Sequence, residues 1–469
     1  MYMNKKTRLI ILLSCVAIFL IVAPYLAMYS MGYRIDFENR EITATGGIYV
    51  RTSPSASEVI FDGKDIKKPS IFSSSIFVQD LLPKQHTVLV KKDGYFDYYK
   101  NLEVLEKEVT KLETVTLFKD TTAFETAATG TLSFYLSPDK KNILAEGDNT
   151  KSLDFYYFPI SNPENKKIYS FNLPYTSVLS LIWAGDSNSV IVKTQNSTSG
   201  VVYHALNFSA KTQSTATLPY LDYSVTDISF NPLDSNQVFF LRSGSLFSMK
   251  DKKLTTVLKK ISAYKISDNN ILWLSSAGAL NQSDIFGNTT QALLAEWPFN
   301  KNIISPADYK IEVISGKIIL YSPNSMYLYD TVEKNLKDLG ATSNNFKISQ
   351  SPDGKNMIYY SESEIYLYAF EKSPYNKTDE NNVKLFSAKY GETISNCFWL
   401  NNDYIIFESG NRIIISEIDF RGNINQNELQ KSWEPNADSK NPSVIFNQQD
   451  DKLYVLTGGN LYFSEKIIP

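Results

Sequence analysis

Residues able to do chemistry are few in this chain: two histidines, two cysteines and a scatter of acids. His86 and His204 stand far apart, as do Cys15 and Cys397. A zinc site needs three or four His, Cys or carboxylate ligands brought together, and a disulfide framework needs several paired cysteines. Neither can be assembled from this set. A Ser-His-Asp triad in the long C-terminal region would rest on His204 alone, and no Gly-x-Ser-x-Gly elbow accompanies it. Walker loops, dinucleotide fingerprints and Asp-x-Asp-x-Asp-Gly calcium loops are absent from the text as well.

The acids are the remaining candidates. Asp227, Asp234, Asp268 and Asp403 fall where turns are expected. A glycosidase would need two of them converging in one cleft, whereas a turn cap needs only its own backbone, so capping is the expected role. His86 and His204, each within a strand-like run, are read as structural hydrogen-bonders. Cys397 beside Phe398-Trp399 is read as a small buried apolar residue. Trp183 and Trp399 precede equivalent turns and could stack a sugar or peptide; core packing between repeats is the favoured reading. Asn196, Asn207, Asn281, Asn288 and Asn376 fit Asn-x-Ser/Thr, a pattern common by chance. The expectation is a chain that is not an enzyme, with no catalytic, cofactor-binding or metal residue assigned.

The elements that would position any site are plainer. With 469 residues the chain can hold more than one domain, and its 13% aromatic content favours strands. A net charge of −3 without a basic stripe excludes nucleic acid as an expected partner. From Leu9 to Tyr33 there is no charge, and Leu9–Met31 as a helix would measure roughly 34 Å, enough to cross a bilayer. Lys5, Lys6 and Arg8 precede it, which places the N-terminus in the cytoplasm and the bulk of the chain outside a cell membrane. A cleaved signal and a lipoprotein built on Leu12-Leu13-Ser14-Cys15 are the alternatives; the length of the apolar run favours an uncleaved single-pass anchor. The expected division is a stub and anchor over 1–33, a connector over 34–45, a small module over 46–118 and a large array over 119–469.

In the module, strands are expected at Gly47–Thr52, Glu58–Lys64, His86–Lys91, Tyr98–Leu105 and Lys111–Phe118, with Asp62-Gly63 as a hairpin turn. Ser53-Pro54, Asp62-Gly63, Leu82-Pro83, His86, Val88 and Gly94-Tyr95 are spaced as in the PEGA domain family, which this segment resembles. It departs at the naming turn, Pro54-Ser55-Ala56-Ser57, and at Lys84, where the family has Gly. Short antiparallel strands over about 75 residues indicate a small β-sandwich, and the resemblance implies a non-catalytic surface module of a kind common in envelope proteins.

From about Thr131 a unit repeats. Its second strand recurs at Ile143, Val190, Val238, Ile271, Ile318, Met357, Tyr404 and Leu453, at intervals of 33 to 49 residues. That period with four strands per unit indicates a β-propeller of eight blades, or seven if the irregular unit at Ile271 is not a blade. The last unit ends after its third strand, so a segment within Lys111–Thr131 is expected to supply the fourth. Ser351-Pro352-Asp353-Gly354-Lys355, with a weaker copy at Ser137-Pro138-Asp139, resembles the turns of TolB-like propellers. That likeness implies binding of proteins or peptides at the ring's face. Residues 9–31 are expected to meet the membrane and the ring to meet envelope proteins, with cell-wall polymer or glycan as the alternative ligand and a propeller hydrolase or lyase as the third.

Overall fold

The computed structural model describes the chain except residues 1–3, 38, 56, 68–73, 148, 150–151, 173–174, 197–199, 210–213, 296–307, 341–345, 372–380 and 430–442. One helix, Lys5–Ser30, is followed by strands throughout. They form two compact units. One comprises Met1–Thr121, Ser416–Gln430 and Ile467–Pro469; the other comprises Thr122–Ile415 and Lys431–Lys466.

From Phe124 onward the strands follow a propeller plan of eight blades, each a four-stranded antiparallel sheet. In chain order the blades span 131–172, 175–217, 225–259, 261–294, 310–338, 347–387, 394–428 and 443–466, the last completed from upstream. The unit at Ile271 is a full blade, with strands Ile261–Ser267, Asn270–Ser275, Leu280–Asp284 and Thr290–Leu294. It looks irregular in the text because the two-residue turns of the blade before it and the single residue Lys260 between the two blades shorten the interval to 33 residues. The second strand of each blade is apolar on both faces because a blade lies on either side of it. Val190 and Val192 of blade 2 pack on Leu144 and Phe155 of blade 1, while Ile191 packs on Val238 and Phe240 of blade 3.

Closure follows the expected route. Strand Phe124–Thr129 pairs antiparallel with Asn460–Lys466, Glu125 opposite Phe463, and becomes the outer strand of blade 8. Blade 8 then meets blade 1 through Tyr454, Leu456 and Leu461 against Phe134, Ile143 and Phe158.

The Ser-Pro-Asp turns work identically in blades 1 and 6. Ser137 Oγ donates to Asp139 Oδ1 (2.5 Å) and accepts from the Asn142 N–H (3.0 Å); Ser351 repeats this with Asp353 (2.7 Å) and Asn356 (2.9 Å). The same aspartates accept from the Lys141 and Lys355 N–H groups, both at 3.1 Å. The turns also lock to the next blade: the Asp139 N–H donates to Ser187 Oγ at 2.9 Å and the Asp353 N–H to Asn402 Oδ1 at 3.0 Å.

In the smaller unit two sheets pack around Ile48, Val50, Val59, Val88, Val90 and Leu102. One is ordered Asp65–Lys67, Glu58–Phe61, Gln85–Lys91, Tyr98–Glu103; the other Ser75–Leu81, Gly46–Ser53, Val109–Thr116. Asp62 (φ 47°) and Gly63 (φ 69°) make the expected hairpin turn. Two sequence readings need correction. The sandwich is not wholly antiparallel, because Gly46–Ser53 runs parallel to Val109–Thr116. Ser75–Leu81 is a strand that went unread, its Ile-Phe-Val run and Gln-Asp lacking the alternation of a strand. Near the connector, Tyr33–Asp36 and Glu41–Ala44 form a hairpin.

Ser416–Gln430 completes this unit. Strand Tyr98–Glu103 would be a bare edge, with backbone groups free to pair with another chain. Two side-chain amides cover it. Asn425 Oδ1 accepts from the Tyr99 N–H (3.0 Å), Asn423 Oδ1 accepts from the Asn101 N–H (2.9 Å), and Asn423 Nδ2 donates to Tyr99 O (2.7 Å). The approach is close enough that a Cβ on Gly422 (φ +65°) would stand 2.0 Å from Asn101 O. Beneath the amides Lys100 is wholly buried, its ammonium donating to Glu417 Oε1 (2.6 Å), Asp419 O (2.5 Å) and Asn423 O (2.7 Å). Glu417 also accepts from Tyr98 (2.8 Å) and from the Asn425 N–H (2.8 Å).

Two outcomes follow. Tyr462→Pro removes a donor from the strand that blade 8 shares with Phe124–Thr129, at a cost on the order of 1–3 kcal/mol, read as a lowered midpoint in urea. Glu417→Ala leaves the Lys100 ammonium buried without its carboxylate and costs about 3–5 kcal/mol; Lys100→Met with Glu417→Leu regains most of that in the same measurement.

Candidate functional site

The first strand of each blade lies innermost, nearest the ring's centre, and its side chains alternate between the two faces of the blade. Asp227 was expected in a turn. It lies instead on the first strand of blade 3, Val225–Asn231, opposite Leu241. There it lines a cavity of about 970 Å³ formed by the first strands of blades 3, 4 and 5, together with Trp183 at the end of the first strand of blade 2.

Charged groups of both signs share this wall. Lys265 of blade 4 pairs with Glu312 of blade 5 at 2.6 Å, and Lys310 stands two positions before Glu312 on the same strand. Asp227 has access to water, yet protein surrounds it on the cavity side. Burial therefore disfavours its charged form and pushes its pKa up to about 6; the Ile228 N–H, Lys310 and Lys265 pull the other way, and Glu312 adds to the rise. Tyr321 is pushed up to about 12 by burial and by the same two acids. Behind the wall, Tyr264 donates to Phe239 O (3.0 Å) and accepts from Ser229 Oγ (3.1 Å), which ties blade 3 to blade 4. Such a wall can hold a chain segment or small molecule bearing both an amine and a carboxylate. Sequence reasoning missed Lys265, Lys310, Glu312 and Tyr321. The signal was there: in Tyr264-Lys265-Ile266 and Lys310-Ile311-Glu312 a charge alternates with apolar residues at the period of a strand.

The other sequence candidates scatter. His86 is buried, its two ring nitrogens on Asp62 Oδ2 (2.7 Å) and Leu82 O (2.8 Å), so it fastens the hairpin turn to the module. Burial raises the Asp62 pKa, but the Thr87 N–H and His86 outweigh it and hold the carboxyl below its usual range. His204 is buried against the Phe171 ring, 4.6 Å between centroids, and burial lowers its pKa. Cys397 is buried and its thiol pushed well up, whereas Cys15 is exposed on the helix. Trp399 is core, with Nε1 donating to Ser349 O of the neighbouring blade at 3.1 Å. Trp183 packs on Phe208, and its flank reaches the cavity. Asp234 caps its own turn through the Asn236 N–H (3.1 Å), Asp268 sits in a turn at φ 51°, and Asp403 stands in the first turn of blade 7. Asn196 and Asn281 are buried, which removes them as glycan acceptors in the folded chain; Asn207 and Asn288 are not, and Asn376 lies outside the described residues. Among the described residues no three His, Cys, Asp or Glu side chains are placed to share a metal ion.

The Asp227 carboxyl is expected to titrate with a midpoint of about 6, read by carbonyl NMR, and Lys310→Met is expected to move it higher by removing an attractive cation. Because the folded value lies above the ordinary one, the favourable contribution of Asp227 to stability is full at acid pH and is lost as pH rises through about 6. Asp227→Asn should flatten that part of the stability profile.

The chain is similar to several solved propellers. Hsv2 from Kluyveromyces lactis shares 11% identity at a TM-score of 0.42, covering 65% of this chain and 98% of that one. Sqt1 from Saccharomyces cerevisiae shares 12% at 0.45, covering 74% and 98%. The structure described as YCF48 bound to D1 peptide shares 16% at 0.40, covering 63% and 95%. No curated protein matches the chain. Residues 45–118 match the PEGA domain family, over the same segment whose turns carry the resemblance.

Proposed function

We propose that this chain is a membrane-anchored scaffold whose propeller, displayed outside the cytoplasm in a cell envelope, holds a partner protein. The observation that carries the reading is a rigid ring bearing aromatic side chains on one rim. Tyr223 links blade 2 to blade 3 and Tyr390 links blade 6 to blade 7, and both are fully exposed. Both connections run from an outer strand to the next inner one, so they emerge on the same face of the ring. Tyrosines are typical anchors of protein interfaces. The turns around them are held by their own caps, Asp222 Oδ1 accepting from the Ser224 N–H at 2.8 Å and the Glu392 N–H donating to Lys389 O at 2.9 Å. Little ordering is then left to oppose binding.

Anchoring is supported by the helix Lys5–Ser30, of 26 residues, whose most apolar stretch of 18 has mean hydropathy 2.8, with no residue buried inside the protein. Lys5, Lys6 and Arg8 at its start favour a cytoplasmic N-terminus.

The test is site-specific photo-crosslinking in intact membranes, with benzoylphenylalanine at Tyr223 or at Tyr390 and a control at Lys253 on an outer strand. A discrete polypeptide adduct from the two tyrosine positions, absent from the control, is the expected result. Adducts to wall polymer alone would move the assignment to polymer recognition, and no adduct from either tyrosine would overturn the scaffold.

A further inference from the structure

The hairpin after the helix is amphipathic and faces the opposite way from an ordinary surface hairpin. Its register places Ile35 opposite Ile42 and Tyr33 opposite Ala44 on one face, with Arg34 opposite Thr43 and Asp36 opposite Glu41 on the other. A surface hairpin ordinarily turns its apolar face to the core and its polar face to water. Here the order is reversed over the middle and tip: Asp36 and Thr43, on the polar face, are 5% and 6% exposed, whereas Ile35 and Ile42 are 42% and 53% exposed and Phe37 at the tip is 83% exposed; at the base Ala44 is buried, and Glu41 beside the tip is exposed.

The polar face is held down by specific bonds. Arg34 pairs with Asp80 at 2.8 Å and Thr43 Oγ1 donates to Glu106 Oε1 at 2.8 Å, so the hairpin cannot simply roll over. Its base is fixed to the end of the helix. The Thr45 N–H and Oγ1 both donate to Gly32 O at 2.8 Å, and the Arg34 guanidinium donates to Tyr29 O (2.8 Å) while lying 3.5 Å from the centre of the Tyr29 ring. Ile35 lies five steps along the chain from Ser30, which limits the separation to about 17 Å. The apolar face is therefore held within reach of whatever surrounds the C-terminal end of the helix.

We propose that this hairpin is a second membrane contact: Ile35, Phe37 and Ile42 insert into the headgroup and upper acyl region of the phospholipid leaflet from which the helix emerges. The inference rests on the membrane reading of the helix. Its occupant is a lipid surface because the helix carries the face there, and because Arg34 stacked on Tyr29 supplies the aromatic and cationic pair that sits well at the headgroup level. The contact fixes the rotation of the hairpin about the helix end, which a lone helix with a flexible linker would leave free.

The experiment uses the full chain in phospholipid vesicles, in a Cys15→Ala background, Cys397 being buried and out of reach of the label. An environment-sensitive fluorophore is placed on Phe37→Cys, on Ile42→Cys, on Leu20→Cys within the helix and on Lys253→Cys in the propeller, and quenching is read with lipids carrying a nitroxide high on the acyl chain for positions 37 and 42 and near the acyl terminus for position 20, both being applied to 253. The expected result is emission at least halved at positions 37, 42 and 20 and unchanged at 253. Quenching at 20 without quenching at 37 and 42 overturns the hairpin contact and leaves the anchor standing. Absence of quenching at all of them overturns both. Ile42→Cys gives an independent reading should Phe37→Cys fail to fold.

Discussion

The propeller depends on one piece of strand pairing, Phe124–Thr129 with Asn460–Lys466. Each blade buries both faces of its sheet only because a neighbour stands on either side, and the first and last blades have neighbours only if the ring closes. The closing pair joins segments more than three hundred residues apart, yet it makes blade 8 the equal of the other seven. With blade 8 complete, the cluster around Tyr454 and Phe134 can form, and no blade is left with a bare apolar flank. The cross-blade bonds of the Ser-Pro-Asp turns then add register to what apolar packing alone would leave free to slide.

Much of this was legible because the physics is local and repeated. Eight apolar second strands could be counted, since a strand covered on both faces must be apolar at nearly every position, as in Tyr404–Ser409. The Ser-Pro-Asp turns and Asp62-Gly63 announce their own geometry. The missing fourth strand of the last unit could be inferred from counting alone.

What was not legible depends on partners distant in sequence. Asp227 reads as one more acid among turns; only its place on an inner strand makes it a cavity residue. Ser75–Leu81 runs Ile-Phe-Val and then Gln-Asp, so it lacks the alternation that marks a strand. The parallel pairing of Gly46–Ser53 with Val109–Thr116 leaves no trace in either segment. Lys100 looks like a surface lysine, and nothing near it names Glu417 as its counter-ion. Similarly, Asn423 and Asn425 resemble ordinary loop residues until their amides are seen standing in for a neighbouring strand.

Lys100 and Glu417 are 317 residues apart, and that separation has a consequence in time. Synthesis at 5–20 residues per second sets an interval of roughly 15–60 s between them. During that interval the N-terminal sandwich has its apolar residues but neither the carboxylate for its buried ammonium nor the amides for its open edge. The nascent chain thus carries an unfinished domain until almost the whole ring has been made. Its edge strand stays available to chaperones, or to a wrong partner, for as long as the ribosome takes to reach residue 425.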